Sequence, residues 1–424
     1  MSVASDPRRR QIAVMFLDLD DFKLVNDSLG HAAGDVLLRE VGRRLRATVR
    51  VDDVVGRIGG DEFVVVIVDL DAAGAQAMGD RIRQAMRDPF LLGGDEVVVT
   101  TSIGITLAEP GVSPSELMQD ADTAMYQSKD RGRNHVTMFD TSMRDGVARR
   151  LELERGLRSA LENDEVSVVY QPVVNTTTAR VEGFEALMRW TTPECSYSPA
   201  EFMSVAEESG MIVSLGAHVL DEACRQLSGW RRNVPGCEDL TLSVNLSVRQ
   251  MQTSNLVDTV AETLGRHELP GRALWLEITE SVMLVDTVTT AAVMSGLRSL
   301  GVRLAVDDFG TGFSSLSYLR NFPVSRVKID QSFVAELGTQ PVSDALVRAI
   351  VAIGRSLDLD VVAEGVETHE QAAALVELGC RRLQGFLIAR PVPPGEVPAL
   401  LSSVDVGSHC PVTPRRDVCR RCAA

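Results

Sequence analysis

The chain has 424 residues, enough for two or three domains of ordinary size. Its 59 acidic and 43 basic side chains give a net charge of −16, which argues against a nucleic-acid duplex as partner but does not exclude a small phosphorylated substrate if metal ions invert the local charge. No apolar run is long enough for a membrane span or a signal peptide, so we expect a cytoplasmic protein.

The first third of the chain combines strand-like and helical patterns. IAVMFLDL (12–19) and FVVVIVDL (63–70) are apolar runs typical of strands, and helical patterns follow at 71–88 and 114–130. The segment RIGGDEFVVV (57–66) has turn-forming glycines, which predicts a β-hairpin with an acidic tip. This mixture is typical of an α+β domain built on an antiparallel sheet.

A charged segment, MRDGVARRLELERGLRSAL (143–161), follows this first domain. Its apolar residues recur at helical spacing and its charges pair at i,i+4, so it predicts a helix that connects two domains. We therefore expect a first domain at 1–140, a helical linker at 141–162, a second domain at 163–402 and a tail at 403–424.

The tail contains four candidate zinc ligands, His409, Cys410, Cys419 and Cys422. Their spacing matches no common zinc site, so a disordered polar tail is the simpler interpretation. The seven cysteines of the chain are odd in number and scattered, which fits a reducing compartment better than a disulfide framework.

From about 165 to 402 the pattern changes to apolar strand-like runs, each followed by a helical segment. About eight such units have the size and rhythm of a (β/α)8 barrel, in which the carboxyl ends of the strands share one face. Most of the runs end in polar residues, which should converge on one site: Gln171, Glu185, Asn245, Glu277, Glu280, Asp307, Asp308, Lys328, Asp330, Glu364, Glu367 and Gln384.

The candidate metal ligands in this set are carboxylates and an amide, without His or Cys. Such hard oxygen donors select Mg²⁺ or Mn²⁺ over zinc. The adjacent Asp307 and Asp308 suit a two-metal site, which activates water for displacement at phosphorus. Lys328 could orient that water or screen phosphate charge, and Arg189 is placed to contact a phosphate oxygen.

The tripeptide DFG (308–310) also occurs in protein kinases, where it binds Mg²⁺. The sequence has neither a glycine-rich loop with a following strand lysine nor an HRD-type catalytic loop. The kinase interpretation is therefore set aside.

The segments FEALMRW, VNLS, LEITE, VDDFGTGFSSL, VKID, AEGVE and LQGF occur in this order and resemble the EAL-domain phosphodiesterases over about 165–402. Members of that family hydrolyse cyclic di-GMP to the linear dinucleotide pGpG on a TIM-like barrel. The resemblance implies the same fold and activity here, with two Mg²⁺ or Mn²⁺ ions in the site.

The resemblance also implies a role for each matching residue. One ion would be held by Glu185, Asn245, Glu277 and Asp307, and the second by Asp307 and Asp308, with Glu364 close by. Lys328 would position the attacking water, and Glu280 would brace the DDFGTGFSS loop. The residues that would contact the substrate or line the site are Gln171, Arg189, Asp330, Glu367 and Gln384.

The segments VMFLDLDDFKLVNDSLGHAAGD (14–35) and RIGGDEF (57–63) resemble the GGDEF diguanylate cyclases, whose fold is like that of adenylyl cyclases and polymerase palms. Asp18 and Asp61 would share Mg²⁺ on the phosphates of GTP. The other implied roles are a metal contact from the Leu19 carbonyl, catalysis by Glu62, guanine recognition by Asn26 and Asp35, triphosphate contacts by Lys129 and Arg133, and an inhibitory cyclic di-GMP site at Arg50 and Asp53.

The start of the chain departs from this second family. Members carry a helical segment with a DxLTGLxNR-like stretch before the first strand, whereas only MSVASDPRRRQ precedes it here. A fragment, a misassigned start and an inactive cyclase would each explain the difference. Several alternatives therefore stay open. The first domain could synthesise cyclic di-GMP, or it could bind GTP without turnover and regulate the second domain. The chain could also be chiefly a cyclase, or a receptor that binds cyclic di-GMP without turnover. Both families commonly form dimers, so we expect a homodimer.

Overall fold

The computed structural model describes residues 11–280, 282, 287–311, 319 and 322–403. The chain divides into two compact units, with the division between Glu152 and Leu153, inside the helix Ser142–Ala160. Two parts of the chain that the sequence analysis named lie outside the described residues. They are the candidate zinc ligands of the tail and residues 312–318, which include the end of the DDFGTGFSS stretch.

The first unit contains a five-stranded sheet and a separate two-stranded hairpin. Its strands are β1 Ile12–Leu19, β2 Val54–Gly59, β3 Glu62–Val68, β4 Phe90–Leu92, β5 Asp95–Val97, β6 Thr101–Leu107 and β7 Val136–Met138. The sheet order is β2-β3-β1-β6-β7, antiparallel except for β6 and β7, and β4 pairs with β5. The predicted hairpin with an acidic tip is confirmed as β2 and β3, which are joined at Gly60 and Asp61.

Apolar contacts cover both faces of this sheet. The helices of the unit are α1 Phe22–Leu29, α2 His31–Thr48, α3 Ala72–Met86, α4 Pro114–Asp130 and α5 Ser142–Ala160. Met15 and Leu17 of β1 belong to the larger core, whereas Phe16 packs with Ala121 and Met125 of α4 on the other face. Because both faces are covered, β1 is apolar through most of its length instead of alternating with polar residues.

The backbone of α4 approaches the sheet closely at Gly104. A Cβ atom at this position would lie 2.0 Å from the Ala121 carbonyl oxygen and 2.0 Å from the Met125 amide nitrogen. Any side chain would therefore force α4 away from β6, so the close packing requires glycine.

The described part of the second unit forms a closed barrel of eight strands. These are β8 Val166–Asn175, β9 Arg180–Thr191, β11 Thr241–Leu246, β12 Leu274–Thr279, β13 Arg303–Phe309, β14 Arg326–Ile329, β15 Asp360–Ala363 and β16 Arg382–Leu383, with the short β10 Ser196–Tyr197 beside β9. The order is β9-β11-β12-β13-β14-β15-β16-β8, and pairing of β8 with β9 closes the barrel. The TIM-like barrel expected from the sequence is confirmed.

The first strand of the barrel differs from the predicted strand–helix repeat. β8 runs antiparallel to both neighbours, β9 and β16, and a short turn connects it to β9 without a helix. Asn175 Oδ1 accepts hydrogen bonds from the N–H groups of Thr177 and Thr178, and Ala179 has a φ of 55°. The side chain of Asn175 thus fixes a tight turn, which reverses the chain. The expectation that every run is followed by a helix is wrong for this strand.

Helices surround the other strands: Pro199–Ser209, Ile212–Asn233, Val248–Met251, Leu256–Arg266, Thr287–Ser299, Gln331–Ala335, Pro341–Ser356, His369–Leu378 and Val397–Ser403, with single 3-10 turns at Gly271–Ala273 and Pro394–Glu396. Alternate residues of a strand face opposite sides. Leu276 and Ile278 of β12 therefore join the apolar layer under the helices, while Glu277 between them is free to face the lumen. None of the helices in the described ranges combines the length and apolar character needed to cross a bilayer.

Candidate active site and family membership

Carboxylates from three strands meet inside the barrel of the second unit. Glu185 of β9, Glu277 of β12 and Asp307 of β13 are all buried. Each offers an oxygen atom, and the three oxygens lie within 4.8 Å of one another. Like charges at this distance repel strongly when they are withdrawn from water, so this cluster requires positive charge nearby.

Lys328 of β14 supplies part of that charge. The residue is 1% exposed. Its Nζ lies 3.3 Å from Glu185 Oε2, 3.2 Å from Asp307 Oδ1 and 2.5 Å from Glu364 Oε1, and it also contacts Glu277. One ammonium group is therefore shared among four carboxylates, which leaves the cluster with an excess of negative charge.

Amide side chains fix the orientation of Glu185. Asn245 Nδ2 donates to Glu185 Oε1 at 2.7 Å, and Gln384 Nε2 donates to Glu185 Oε2 at 2.6 Å. Gln384 Nε2 also lies 3.1 Å from the Oε1 of Gln171, which pairs with Glu185 across β8 and β9. Gln171, expected from the family resemblance to contact substrate, thus lies beside Glu185 on the reversed strand β8.

A bulge in β13 brings the two neighbouring aspartates together. The pairing of β13 with β14 shifts between Val306 and Phe309, and Asp308 has a φ of 53°. The Asp308 N–H donates to Asp307 Oδ1 at 3.0 Å. Oxygens of Asp307, Asp308 and Glu364 lie within 4.8 Å of one another, so both aspartates reach the same place.

The carboxylates form two groups that share one residue. The groups are Glu185, Glu277 and Asp307, and Asp307, Asp308 and Glu364. All five residues offer hard oxygen donors, and the single ammonium leaves their negative charge incompletely balanced. The donor set therefore fits divalent cations that prefer oxygen ligands, and Asp307 belongs to both groups.

Burial and mutual repulsion shift the pKa values of these acids. Burial and then the charges of Glu185 and Asp307 raise the pKa of Glu277 to about 7, against the opposing effect of Lys328. Burial also raises the pKa of Glu364 well above its usual range. For Glu185, burial is outweighed by Lys328 and by hydrogen bonds from the two amides, and its pKa is lowered. Without divalent cations, the cluster will thus hold protons near neutral pH.

A cavity of about 620 Å³ opens beside the carboxylates. Asp307 and Asp308 line it together with Arg189 and Glu280, and Met188 and Met203 contribute apolar surface. Arg189 donates from Nη1 to the Met188 carbonyl at 2.8 Å, and burial lowers the pKa of its guanidinium. The cavity has the size of a small-molecule site, with a cation and a carboxylate cluster on its walls.

Two further predicted residues have different surroundings. Asp330 caps the helix Gln331–Ala335, with Oδ1 accepting from the Ser332 N–H at 3.0 Å, and it contributes to the raised pKa of Asp308. The Glu367 side chain is exposed, and its N–H donates to Gln371 Oε1 at 2.8 Å. Asp330 therefore lies against the second carboxylate group, whereas Glu367 belongs to an exposed helix start.

In the first unit, acidic residues meet at the end of β1. Asp18 is buried, and its Oδ1 lies 2.7 Å from Lys129 Nζ. Burial raises the pKa of Asp18, Lys129 opposes that shift, and Asp61 adds to it. Glu62 pairs with Asp18 in the β1–β3 ladder, and the buried Leu19 follows. The predicted Asp18, Asp61, Glu62 and Lys129 are thus neighbours.

Asp20 is a buried residue that the sequence analysis did not single out. It accepts hydrogen bonds from Thr100 Oγ1 at 2.6 Å, Ser102 Oγ at 2.7 Å and the Asn134 N–H at 3.0 Å. These bonds tie the end of β1 to β6 and to the loop after α4. Arg133 precedes Asn134 in that loop, and its Nε lies 3.9 Å from Oδ1 of Asp21, which precedes α1. The repeated DLDD pattern gave no signal to separate Asp20 from its neighbours.

The residues predicted to read guanine lie on α1 and α2. Asn26 is half-buried and Asp35 is exposed. A Cβ atom at Gly34 would lie 2.0 Å from Asn26 Oδ1, so the amide packs directly over that glycine. Arg39 Nε donates to the backbone carbonyl of Asp35 at 3.1 Å, so this hydrogen bond does not involve the Asp35 carboxylate.

The predicted inhibitory pair lies in the loop before β2. The Asp53 side chain is buried, and its Oδ2 accepts from the Arg50 backbone N–H at 2.7 Å. The Arg50 carbonyl in turn accepts from the Asp53 N–H at 3.2 Å. The aspartate therefore stabilises this turn in the absence of a ligand.

Comparisons with protein families agree with these two arrangements. Residues 154–391 match the EAL domain model, and residues 2–135 match the model described as "Diguanylate cyclase, GGDEF domain". The chain belongs to the EAL domain family. A GGDEF domain precedes its EAL domain, and its two units accordingly belong to the mixed α/β folds expected from the sequence.

Curated relatives match both parts of the chain. The bifunctional diguanylate cyclase/cyclic di-GMP phosphodiesterase MucR of Pseudomonas aeruginosa is 44% identical over 93% of this chain and 57% of its own length. The cyclic di-GMP phosphodiesterase PdeR of Escherichia coli is 40% identical over 90% of this chain and 58% of its own length. The chain thus spans less than two thirds of the length of these relatives.

A solved structure resembles the EAL domain. The structure described as "PaMucR Phosphodiesterase, c-di-GMP complex" has a TM-score of 0.56 and 44% identity, and the match covers 58% of this chain and 99% of that one. The EAL domain of this chain is therefore similar to a phosphodiesterase domain observed with cyclic di-GMP.

Proposed function

We propose that the EAL domain hydrolyses cyclic di-GMP to linear pGpG with two Mg²⁺ or Mn²⁺ ions. The observation that carries the proposal is the pair of carboxylate groups that share Asp307 beside a cavity with Arg189 on its wall. Similarity to relatives named as cyclic di-GMP phosphodiesterases supports the choice of substrate.

In this proposal some side chains bind the metal ions or the substrate, and others position the reacting groups. Divalent cations at the carboxylates would supply Lewis-acid charge. They would be held by Glu185, Asn245, Glu277, Asp307 and Asp308, with Glu364 close by. Arg189 contacts a substrate phosphate, because a guanidinium on the cavity wall complements an anionic oxygen. Lys328 orients the attacking water and limits repulsion among the acids.

Residues around this centre have supporting roles in the proposal. Gln384 holds Glu185 in place through its 2.6 Å hydrogen bond, and Gln171 contacts substrate beside it. Glu280, at the end of β12, lines the cavity and braces the segment that follows Asp308. Asp330 and Glu367 are proposed to lie along the substrate path.

A hydrolysis assay tests the proposal. The purified chain is given cyclic di-GMP and Mg²⁺, and the products are separated by chromatography. Glu185→Ala should reduce pGpG formation on the order of 100-fold, because it removes a metal ligand and leaves Lys328 with an altered partner set. Glu194→Ala removes an exposed carboxylate of the same unit and should have no effect. Absence of pGpG from the unmodified chain would refute the proposal.

For the GGDEF domain, we propose GTP binding with Mg²⁺ at Asp18 and Asp61. The contact of Lys129 with Asp18 supports this, because it places a cation beside the acids that a triphosphate would approach through its metal ion. The Leu19 carbonyl, Glu62 and Arg133 would complete the phosphate end, Asn26 and Asp35 would contact guanine, and Arg50 and Asp53 would form an inhibitory product site.

An assay with GTP and Mg²⁺ distinguishes two possible functions of this domain. Formation of cyclic di-GMP that is lost in Asp61→Ala identifies a cyclase, whereas a change in EAL hydrolysis without GTP turnover identifies a regulatory module. Asp52→Ala, which removes an exposed carboxylate of the neighbouring loop, is the matched control. A homodimer in the cytoplasm stays a prediction from the family resemblance, and light scattering of the purified chain tests the dimer.

A further inference from the structure

A second cavity lies at the opposite end of the barrel from the carboxylates. Its volume is about 470 Å³, and Trp275 of β12 lies on its wall. Arg303 and Arg326 come from the first positions of β13 and β14, where these strands begin. The arginines that line this cavity are Arg180, Arg231, Arg272, Arg303, Arg326 and Arg382.

The acids near this cavity do not balance its arginines. Glu182 Oε2 lies 2.8 Å from Arg382 Nε. Asp360 lies 2.6 Å from Arg382 and 3.6 Å from Arg326. Asp239 is the other acidic residue on the described cavity wall. Glu238 is a fourth nearby acid, since its charge acts on Arg231. Six guanidinium groups thus stand against four carboxylates, in a chain whose net charge is −16.

Two of the guanidinium groups are held in place by an aromatic ring. The Cζ atom of Arg326 lies 3.7 Å and that of Arg303 lies 4.2 Å from the centre of the Trp275 ring. Stacking of this kind fixes the plane of each guanidinium before any ligand arrives. It also holds two positive charges close together.

Several buried donors in this group have no hydrogen-bond partner within the described part of the chain. They are the Nε atoms of Arg303 and Arg326 and the Nε1 atom of Trp275. Arg326 is 6% exposed and Trp275 is 1% exposed, so water reaches these residues poorly. Buried donors without acceptors are rare in folded proteins, and an ordered water or another acceptor would complete their hydrogen bonding.

The electrostatic state of Arg326 agrees with a missing anion. Burial lowers the pKa of Arg326 to about 10, with Arg382 and Arg303 adding to the effect and Asp360 opposing it. A purely structural ion network at this end of a barrel would pair its charges. Here the guanidinium groups on the cavity wall outnumber the nearby acids, and a guanidinium group donates readily to an oxyanion.

We propose that this cavity binds a phosphate-bearing anion. Planar guanidinium groups present two N–H donors side by side, which matches the spacing of phosphate oxygens. The volume of about 470 Å³ exceeds what inorganic phosphate alone would fill, so a phosphate ester also fits. The recognised chemistry is the phosphate group, and its source is either the free ion or a nucleoside monophosphate.

Calorimetric titration of the full chain in EDTA at low salt tests this site. EDTA removes metal-dependent phosphate binding at the carboxylate groups, and only the binding that the Arg303 and Arg272 variants weaken is assigned to the arginine cavity. Inorganic phosphate and 5′-GMP are the two probes. We expect saturable binding at one site per chain that weakens as salt is added. Tighter binding of 5′-GMP would identify a nucleoside monophosphate as the source, and equal affinity would identify the phosphate group alone.

Matched variants locate the binding site. Arg303→Gln and Arg272→Gln should each weaken phosphate binding at least about tenfold, the effect of losing one charged hydrogen bond. Arg272 is exposed, so its variant keeps the test valid if the half-buried Arg303 proves necessary for folding. Arg348→Gln removes an exposed arginine of the helix Pro341–Ser356 and should bind like the unmodified chain. Failure of both probes to bind, or undiminished binding by the folded Arg303 and Arg272 variants, would overturn the proposal.

Discussion

Asp307 and Asp308 are adjacent in the chain, yet their carboxylates reach the same place beside Glu364, because Asp308 has a left-handed backbone conformation with φ 53°. In a regular strand the two side chains would face opposite sides. The β13 bulge between Val306 and Phe309 removes that constraint. The arrangement costs conformational energy and charge repulsion, which bound cations would offset.

Asp308→Asn should stabilise the metal-free protein at pH 7.5. Burial, Asp307 and Asp330 raise the pKa of Asp308 from 3.8 to about 6. Because the folded pKa is raised, the stability contributed by the protonated acid is present below about pH 4 and is lost as the pH rises through about 6. Asparagine carries no charge and tolerates the left-handed conformation, so the gain should be on the order of 1 kcal/mol, discounted because the side chain is half-exposed.

Urea unfolding in EDTA at pH 7.5 and pH 4 measures this difference. The gain should disappear at pH 4, where the wild-type acid is protonated. Asp308→Ala removes the same charge but should be less stable than the asparagine variant by about 1 kcal/mol, because alanine resists a positive φ. Equal stability of wild type and Asp308→Asn at both pH values would contradict the assigned repulsion.

Lys328→Met should destabilise the metal-free EAL domain strongly. The substitution removes an ammonium that contacts Glu185, Asp307, Glu364 and Glu277. Breaking a buried ion pair costs about 3–5 kcal/mol, and uptake of protons by the acids will limit the loss. Added Mg²⁺ should restore much of the stability but not the hydrolysis.

Thermal unfolding with and without Mg²⁺ tests the role of this lysine. Arg348→Met removes an exposed cation from the same unit and should change the melting temperature little. If Lys328→Met melted like the control in EDTA, the lysine would not be a significant counter-charge for the acids.

Ca²⁺ should occupy the carboxylate groups without supporting hydrolysis. Their oxygen donors are suitable ligands for both Mg²⁺ and Ca²⁺. Ca²⁺ accepts a larger and looser coordination shell than Mg²⁺, so it should stabilise the fold but fail to organise the reaction. Pairing a melting curve with a pGpG assay distinguishes binding from activity, and full turnover in Ca²⁺ would argue against the two-ion proposal.

Gly104→Ala should destabilise the GGDEF domain by more than about 2 kcal/mol. Its Cβ atom would lie 2.0 Å from backbone atoms of α4, which cannot move without disturbing the packing of Phe16 and Met125. Gly56→Ala, in β2, is the control because its Cβ would meet no atom within 4 Å. Hydrogen exchange of β1 and β6 should accelerate in the first variant alone; similar protection in both would show that α4 can shift freely.

Apolar periodicity and turn residues, which are local properties of a chain, predicted an α+β domain followed by a (β/α)8 barrel. The order of the motifs supplied the resemblance to the two families. The orientation of individual side chains was less accessible. A two-residue alternation gives no sign that Asp308 turns back beside Asp307, since the bulge depends on pairing between β13 and β14. The reversal of β8 depends likewise on one turn at Asn175, and it places Gln171 beside Glu185.

Buried polar residues were the hardest to recognise from the sequence, because nothing in the local pattern distinguishes them from neighbouring polar residues. Asp20 lies in a run of acids at 18–21, and its three hydrogen bonds come from β6 and from a loop more than 100 residues away in sequence. The sequence analysis did not single out Arg303 and Arg326, the first residues of β13 and β14. Their stacking on Trp275 becomes visible only when three strands are placed side by side.

The strand β14 links the two ends of the barrel, because Lys328 lies among the acids and Arg326, two residues before it, lies among the arginines. The lumen therefore has an electrical polarity along its axis, negative at the carboxyl end and positive at the other. Divalent cations would reverse the sign of the first end and leave the second unchanged. A phosphate group would then find favourable potential at the arginine end at all times and at the carboxylate end only while the metals are bound, so metal supply would decide whether such anions collect at one end or at both.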